Sequence, residues 1–255
     1  MSRPVSAGSV YILGAGPGDP ELVTLRAANV LAKADVVFHD QLVGQEILAM
    51  APRAERIDVG HRAGEPRRDI ESVAERMAEY ARRGAVVARL KGGDPYVFGR
   101  GAEELRVLLE LGVSCEVVPG VSSAIAGPAA AGIPVTHRGI AKSVVIVTGH
   151  ERDPERGISW ERLRGDTVVV LMATARLGDL TARMVAAGWP VTTPAAVIMA
   201  ATTPRQRQVS GSLADIADLT AFAGFGPPAL LVVGEVVSLA RELVPALLAA
   251  TEAAS

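Results

Sequence analysis

The stretch at residues 90–101, which reads LKGGDPYVFGRG, constrains the fold more than any other part of the sequence. It contains four glycines, one aspartate, one proline and one arginine. The apolar run 85–88 before it is typical of a β-strand, and the run 103–111 after it has helical periodicity. Open α/β sheets bind ligands at such turns, where glycine lets a ligand approach the backbone. An ordinary turn needs only two or three residues of these types, so we interpret the stretch as a binding loop.

Composition and charge exclude several classes of partner. The formal net charge of -2 gives no overall field that would attract nucleic acid or an anionic membrane. Cys115 is the single cysteine, and the four histidines lack the spacing of a zinc site, so we expect neither a disulfide framework nor a bound metal. The N-terminal residues lack a signal-peptide layout, and the apolar stretch 228–240 is too short to span a bilayer. We therefore expect a cytoplasmic protein.

Apolar runs of strand length alternate with helical segments along both halves of the chain. The expected strands of the first half, besides 85–88, are 9–13, 35–39, 56–59 and 113–118. Asp69 is expected to cap a helix over 70–83. The alternation begins again after residue 143, and strands that alternate with helices predict mostly parallel pairing. We therefore predict an α/β fold of two α/β domains, 1–134 and 135–255, with the active site in the cleft between them.

The glycine-rich turn at residues 14–19, GAGPGD, suggests a dinucleotide site. Asp40 lies roughly where the ribose-binding acid of such a site would be, ~20 residues further along the chain. However, the glycines follow G-x-G-x-G instead of G-x-G-x-x-G, and Pro17 removes a backbone donor that a pyrophosphate would need. A nicotinamide-dependent oxidoreductase is therefore the less favoured alternative.

Several polar residues at turns have more than one interpretation. Asp94 either closes a local Asx turn or contacts a ligand. Asp40 follows a strand, so it is either the N-cap of a helix from Leu42 or an acid of the site. His61 is either a solvated loop residue or a proton-transfer group, since histidine titrates near neutral pH. For Arg62 and its neighbouring arginines, a solvated face is the simpler interpretation.

Four motifs together resemble the tetrapyrrole methylase superfamily. They are VYILGAGPGDPELVTLRA at 10–27, RLKGGDPYVFGRG at 89–101, VVPGVSSA at 117–124 and GIPVTHR at 132–138. The resemblance covers nearly the whole chain. Shorter stretches, among them VGHRAG at 59–64 and VTGH at 147–150, are similar to the branch that C-methylates uroporphyrinogen III. The chain resembles the single-function form, without the dehydrogenase–chelatase module of fused sirohaem synthases.

The resemblance implies a homodimer that binds S-adenosyl-L-methionine in the cleft between its two domains and releases S-adenosyl-L-homocysteine. The positions that match cofactor contacts of the family are Pro17, Gly92, Gly93, Asp94, Val97, Ser122, Ser123, Met172, Ala201 and Ala229. Ser122 and Ser123 stand where the family usually has Thr-Ala. Ala201 stands where a glycine is common, and Ala229 is a weaker match.

The resemblance also implies an activity: two methylations of uroporphyrinogen III, at C2 and C7, which give precorrin-2 for sirohaem or cobalamin biosynthesis. Asp40 matches a family acid proposed to handle protons, whereas His61 stands where the family typically has lysine. Arg62, Arg100 and Arg138 are the candidate partners of the substrate carboxylates. Alternatives are a sibling methylase that acts on a later precorrin, a protein or an rRNA, and a non-catalytic binding module.

Overall fold

The computed structural model describes residues 3–60, 69–150, 158–163, 165–240 and 243. The chain divides into two compact units, Met1–Ser122 and Ser123–Ser255. A division by contacts does not test independent folding, so the domain boundary near Pro134 stays a prediction. No helix within the described ranges combines the length and the apolar character needed to cross a membrane.

The first unit contains a five-stranded parallel sheet. Its strands are β1 (Ser9–Gly14), β2 (Val36–His39), β3 (Glu55–Asp58), β4 (Val86–Lys91) and β5 (Ser114–Val118). They are arranged in the order β3-β2-β4-β1-β5, and every neighbouring pair is parallel. All residues of β1 and β4 are buried, as expected for central strands covered on both faces. This order differs from the 3-2-1-4-5-6 order of dinucleotide-binding sheets.

Four α-helices cover the two faces of this sheet: α1 (Leu25–Leu31), α2 (Gln45–Leu48), α3 (Ile70–Arg82) and α4 (Gly101–Glu110). Residues of α1 and α2 pack with Leu13 and Leu90 in one apolar cluster. On the other face, residues of α3 and α4 pack with Ile12 and Val87. Asp69 occupies the N-cap position of α3, as expected, although its side chain makes no capping hydrogen bond.

The second unit contains a five-stranded mixed sheet. Its strands are β6 (Val144–Thr148), β7 (Thr167–Leu171), β8 (Pro194–Met199), β9 (Arg207–Ser212) and β10 (Ala229–Val233), in the order β6-β7-β10-β8-β9. Only β6 and β7 pair in parallel; the other three pairs are antiparallel. The expectation of mostly parallel pairing is therefore wrong for this unit, because buried strands are apolar runs whichever way they point.

The helices of the second unit are α5 (Ser123–Ala130), α6 (Leu177–Ala186) and α7 (Ile216–Phe222), and residues 236–240 are also helical. Helix α5 is not evident from the sequence, which shows a turn and a run of small residues. It contains Pro128, which lacks a backbone donor and is usually a helix breaker. The core of this unit includes Trp160, Leu180 and Leu231.

Cys115 gives a pH-dependent test of the packing of β5. The thiol is half-buried, and burial raises its pKa to about 11. The thiolate is the reactive form, and a free cysteine has a pKa of about 8.5. We therefore expect iodoacetamide at pH 8 to label the native protein at least about 100-fold more slowly than the protein unfolded in guanidinium chloride.

The native labelling rate should also rise about tenfold between pH 8 and pH 9, because the thiolate fraction is then proportional to hydroxide concentration. The rate of the unfolded protein should already be levelling off over that interval. Cys115 is the single cysteine of the sequence, so labelling measured by mass spectrometry reports this thiol alone. Equal labelling rates in the native and unfolded protein would contradict the burial.

Candidate active site

Three loops meet at the carboxyl ends of β1, β4 and β5. Gly16 and Gly93 exchange two backbone hydrogen bonds: Gly16 N donates to Gly93 O at 3.2 Å, and Gly93 N donates to Gly16 O at 2.7 Å. A Cβ on Gly120 would overlap Gly93 O and lie 2.7 Å from Gly14 Cα. The loops approach this closely because none of them carries a side chain at the contact.

Asp94 joins two of these loops. Its Oδ1 accepts a hydrogen bond from Tyr96 N at 2.7 Å, and its Oδ2 accepts one from Gly120 N at 3.0 Å. The first contact is the local turn that the sequence suggests. The second holds the loop after β4 against the loop after β5. The carboxylate retains further lone pairs, so its contact with a cofactor stays a prediction.

The remaining cofactor candidates of the first unit lie in or beside these loops. Gly92 is exposed, and a Cβ there would meet no atom within 4 Å. Pro17, Val97 and Ser122 are partly exposed. The strands that precede the loops are parallel and in register, so the loops leave the sheet at its carboxyl edge. Ligands of α/β sheets bind at that edge.

Asp40 follows β2 and faces a group of buried charges. Arg89 Nη2 donates to Asp40 Oδ1 at 2.5 Å, and Arg89 Nε donates to Glu104 Oε1 at 2.9 Å. Lys91 Nζ donates to the same Glu104 oxygen at 3.0 Å. Helix α2 begins only after Gly44, so the interpretation of Asp40 as the N-cap of a helix from Leu42 is wrong.

The surroundings shift the pKa values of both cations. Burial lowers the pKa of Lys91, and the nearby Arg89 charge lowers it further, against the opposing effect of the two carboxylates. Burial also acts to lower the pKa of Arg89, but Asp40 and Glu104 together outweigh it and raise that pKa above its ordinary value. Arg89 therefore keeps its charge near neutral pH.

The cations expected to bind substrate lie in different surroundings. Arg100 has φ 60° and forms a two-pronged ion pair with Glu103, with Nε–Oε1 at 2.9 Å and Nη2–Oε2 at 2.6 Å. Arg138 is exposed in the second unit. His61 and Arg62 lie outside the described residues, so their roles stay predictions.

In the second unit, three cofactor candidates share one edge of the sheet. Met172 follows β7, Ala201 follows β8, and Ala229 begins β10, which runs antiparallel to both strands. Helix α5, which begins at Ser123, packs at this edge too, since a Cβ on its Gly127 would lie 3.4 Å from Ala201 Cβ. The structure therefore brings these candidates together within the second unit.

Backbone strain marks the same edge. Met172, Ala200 and Thr202 have φ of 57°, 48° and 63°, in the left-handed region that non-glycine residues rarely adopt. Ala200 N donates to Pro228 O at 2.9 Å, which ties the turn after β8 to the start of β10. Strained backbone of this kind is concentrated at functional sites.

Sequence reasoning missed the buried charges behind Asp40. It ended the strand at residue 88, whereas β4 continues to Lys91 and includes Arg89. A signal was present: RLK alternates charge with leucine directly after an apolar run, so both cations point to one face of a strand. The sequence does not show which carboxylates they contact.

Within the ranges that the structure describes, no group of three or more histidine, cysteine, aspartate or glutamate side chains is arranged to hold a metal ion.

Comparison with known proteins defines the class of protein. The family model described as Tetrapyrrole (Corrin/Porphyrin) Methylases matches residues 9–217. The chain therefore belongs to the tetrapyrrole methylases, and the predicted α/β fold is confirmed.

Individual relatives are more specific. The chain is 47% identical over 238 residues to the S-adenosyl-L-methionine-dependent uroporphyrinogen III methyltransferase of Methanosarcina barkeri, covering 91% of this chain and 93% of that protein. It is similar to the crystal structure of uroporphyrin-III C-methyltransferase from Thermus thermophilus complexed with S-adenosylhomocysteine, at a TM-score of 0.78 and 39% identity, covering 91% and 99% of the two chains.

Relatives about twice as long also match. The siroheme synthase of Chromobacterium violaceum is 46% identical over 240 residues, which are 93% of this chain and 51% of that protein. The chain thus spans about half the length of the siroheme synthases it matches.

The glycine contact predicts a difference between two alanine substitutions. Gly120→Ala should lower the free energy of unfolding by about 1–3 kcal/mol, because the new methyl group meets backbone atoms that cannot move aside without shifting a loop. Gly92→Ala should change it by less than about 1 kcal/mol, because that position is open. Urea denaturation followed by circular dichroism measures both values. Equal destabilisation would contradict the close approach of the loops.

Proposed function

We propose that this chain is an S-adenosylmethionine-dependent C-methyltransferase that methylates uroporphyrinogen III at C2 and C7 to give precorrin-2. The observation that carries the proposal is the 47% identity to the Methanosarcina barkeri enzyme, which extends over nearly the full length of both chains. The glycine loops and the acid at the end of β2 support it, because such loops let a ligand approach the backbone and a carboxylate can accept a proton.

The residues present fit the methyl donor. Gly92 offers exposed backbone with open space in front of it, which allows a nucleoside or amino-acid group to approach the main chain. Pro17, Gly93, Asp94, Val97 and Ser122 would hold the donor from the first unit. From the second unit the contacts would come from Ser123, Met172, Ala201 and Ala229. When bound, S-adenosylmethionine supplies a methyl group that its sulfonium has already activated.

The main task of this chain is then alignment. Holding an electron-rich pyrrole carbon in line with the methyl group can supply ~7–11 kcal/mol of the barrier through proximity alone. In the transfer the pyrrole carbon would gain the methyl group as the methyl–sulfur bond breaks and S-adenosylhomocysteine leaves, and the cationic ring would afterwards lose a proton. We assign Asp40 as the acceptor of that proton, and the 33% exposure of its side chain supports the assignment. His61 is the second candidate for this proton transfer.

The carboxylates of uroporphyrinogen III would be bound by arginine side chains. Arg62, Arg100 and Arg138 are the proposed partners. Arg100 is oriented by its ion pair with Glu103, so a substrate carboxylate would have to share or replace that partner. We include in the proposal that the protein is cytoplasmic and forms a homodimer. Sedimentation equilibrium of the purified chain would test the homodimer.

Two other functions are less well supported. A sibling methylase that acts on a later precorrin would share the fold and the donor, but two methyltransferases that are 47% and 43% identical to this chain have names that specify uroporphyrinogen III. A nicotinamide-dependent oxidoreductase would need a different glycine spacing and strand order from those found here.

Incubation of the protein with uroporphyrinogen III and S-adenosylmethionine under anaerobic conditions tests the proposal. We expect mass spectrometry to detect a product with two added methyl groups, and an intermediate with one at early times. Omission of the donor is the control. If the protein binds S-adenosylhomocysteine but leaves uroporphyrinogen III unmodified, a sibling methylase is favoured. Binding of NAD without binding of S-adenosylhomocysteine would favour the oxidoreductase.

The proposed donor contact at Gly92 can be tested separately from turnover. Gly92→Ala should weaken S-adenosylhomocysteine binding about tenfold or more, which is about 1.4 kcal/mol, because the methyl group fills the space in front of the backbone. Gly178→Ala in α6 is a matched control, since its Cβ also meets no atom within 4 Å and no contact is proposed there. Isothermal titration calorimetry measures both affinities. Unchanged affinity in Gly92→Ala would remove this residue from the donor site.

A further inference from the structure

Two buried cations on β4 have no role in the mechanism described so far. Strand β4 lies between β2 and β1, and all six of its residues are buried. Arg89 and Lys91 are two residues apart, so both point to the face covered by α3 and α4. Their side chains are only 6% and 5% exposed. Charged side chains are almost never buried to this extent unless they are paired.

The hydrogen bonds of Arg89 fix its orientation. Its guanidinium donates to acceptors on three different elements: Nε to Glu104 of α4, Nη2 to Asp40 after β2, and Nη1 to Leu90 O at 3.2 Å. A planar guanidinium held at three points cannot rotate. Because it is buried, Arg89 is not placed to contact substrate itself.

Glu104 and Lys91 complete the support behind Arg89. Oε1 of Glu104 accepts hydrogen bonds from both cations, and the Glu104 side chain is 5% exposed. Oε2 of Glu104 is buried and accepts no hydrogen bond from the part of the chain that the structure describes. Two positive and two negative groups therefore balance, and Glu104 holds Arg89 at Nε while Nη2 binds Asp40.

Such a network contributes little net stability to a core, because burying charged groups has a large desolvation cost. Apolar side chains of similar volume often give equal or greater stability than a buried ion network. Among its four members, Asp40 alone has substantial exposure, and within the described residues the network contacts its Oδ1. Its effect at the surface is therefore a partly exposed carboxylate that is fixed through one oxygen.

We infer that Arg89 is a positioning residue that, supported by Glu104 and Lys91, orients the Asp40 carboxylate toward the ring hydrogen that is removed after methyl transfer. This inference rests on the proposed function. Lysine at position 89 would retain the charge but, as a point donor, would not hold Asp40 and Glu104 in the same geometry.

The test compares Arg89→Lys in the native sequence and in an Asp40→Asn background. In the native sequence we expect Arg89→Lys to lower kcat for dimethylated product by about 100-fold, with KM and the Kd for S-adenosylhomocysteine changed less than about twofold. Asp40→Asn should itself lower kcat by about 10²–10⁴-fold. In that background Arg89→Lys should cost less than about twofold, because the group through which it acts is absent.

Arg26→Lys is the matched control. Arg26 also forms a two-pronged pair with a carboxylate in the first unit, with Glu116, but it has no contact with Asp40 in the described structure. Its substitution should leave kcat within about twofold in both backgrounds. If Arg89→Lys does not fold, as judged by circular dichroism, Glu104→Gln replaces it, with the same expected dependence on Asp40.

An equal loss from Arg89→Lys in both backgrounds would show a purely structural role and overturn the inference. Full activity of Arg89→Lys, or of Asp40→Asn, would also overturn it while leaving the proposed function intact, because dimethylated product would still form. Absence of that product from the wild-type protein would overturn the proposed function and this inference together, so the two failures are distinguishable.

Discussion

The contact between the backbones of Gly14, Gly93 and Gly120 determines the shape of the carboxyl edge in the first unit. No side chain fits between these loops, so they converge and allow Asp94 to bridge two of them. The exposed Gly92 is next to Gly93 in the chain and is therefore held by the same contact. An open stretch of backbone is rigid here because its neighbour is tightly packed.

A second constraint at this edge is electrostatic. The glycine contacts let the backbones pack closely, whereas Arg89, Lys91 and Glu104 place charges in the core, where apolar side chains would be more stabilising. Asp40 lies where these charges reach the surface. Both constraints restrict motion at the edge, and alignment of a nucleophile with an activated methyl group benefits from such preorganisation.

The sequence predicts those features whose cause is local. The strand at 9–13, the helix that follows Asp69 and the glycine loops follow from the preferences of the residues themselves. Features that depend on distant partners were not predictable. Arg89 is 49 positions from Asp40 and 15 from Glu104, and no pattern near any of the three residues specifies that they meet. The antiparallel pairing of β10 could not be predicted from the sequence either, because a buried strand is an apolar run whichever way it points.

The loops at the sheet edges of the two units differ in backbone strain, and the difference is relevant to function. Glycine allows the first unit to adopt its loop conformations at little steric cost, but Met172, Ala200 and Thr202 occupy left-handed conformations at roughly 1–3 kcal/mol each. Such conformations persist where neighbouring contacts impose them, as Gln206 does by accepting a hydrogen bond from Thr202 N at 2.6 Å. This strained edge contains three proposed donor contacts, Met172, Ala201 and Ala229. Because glycine would relieve the strain at position 172, the presence of a methionine there favours a role for its side chain.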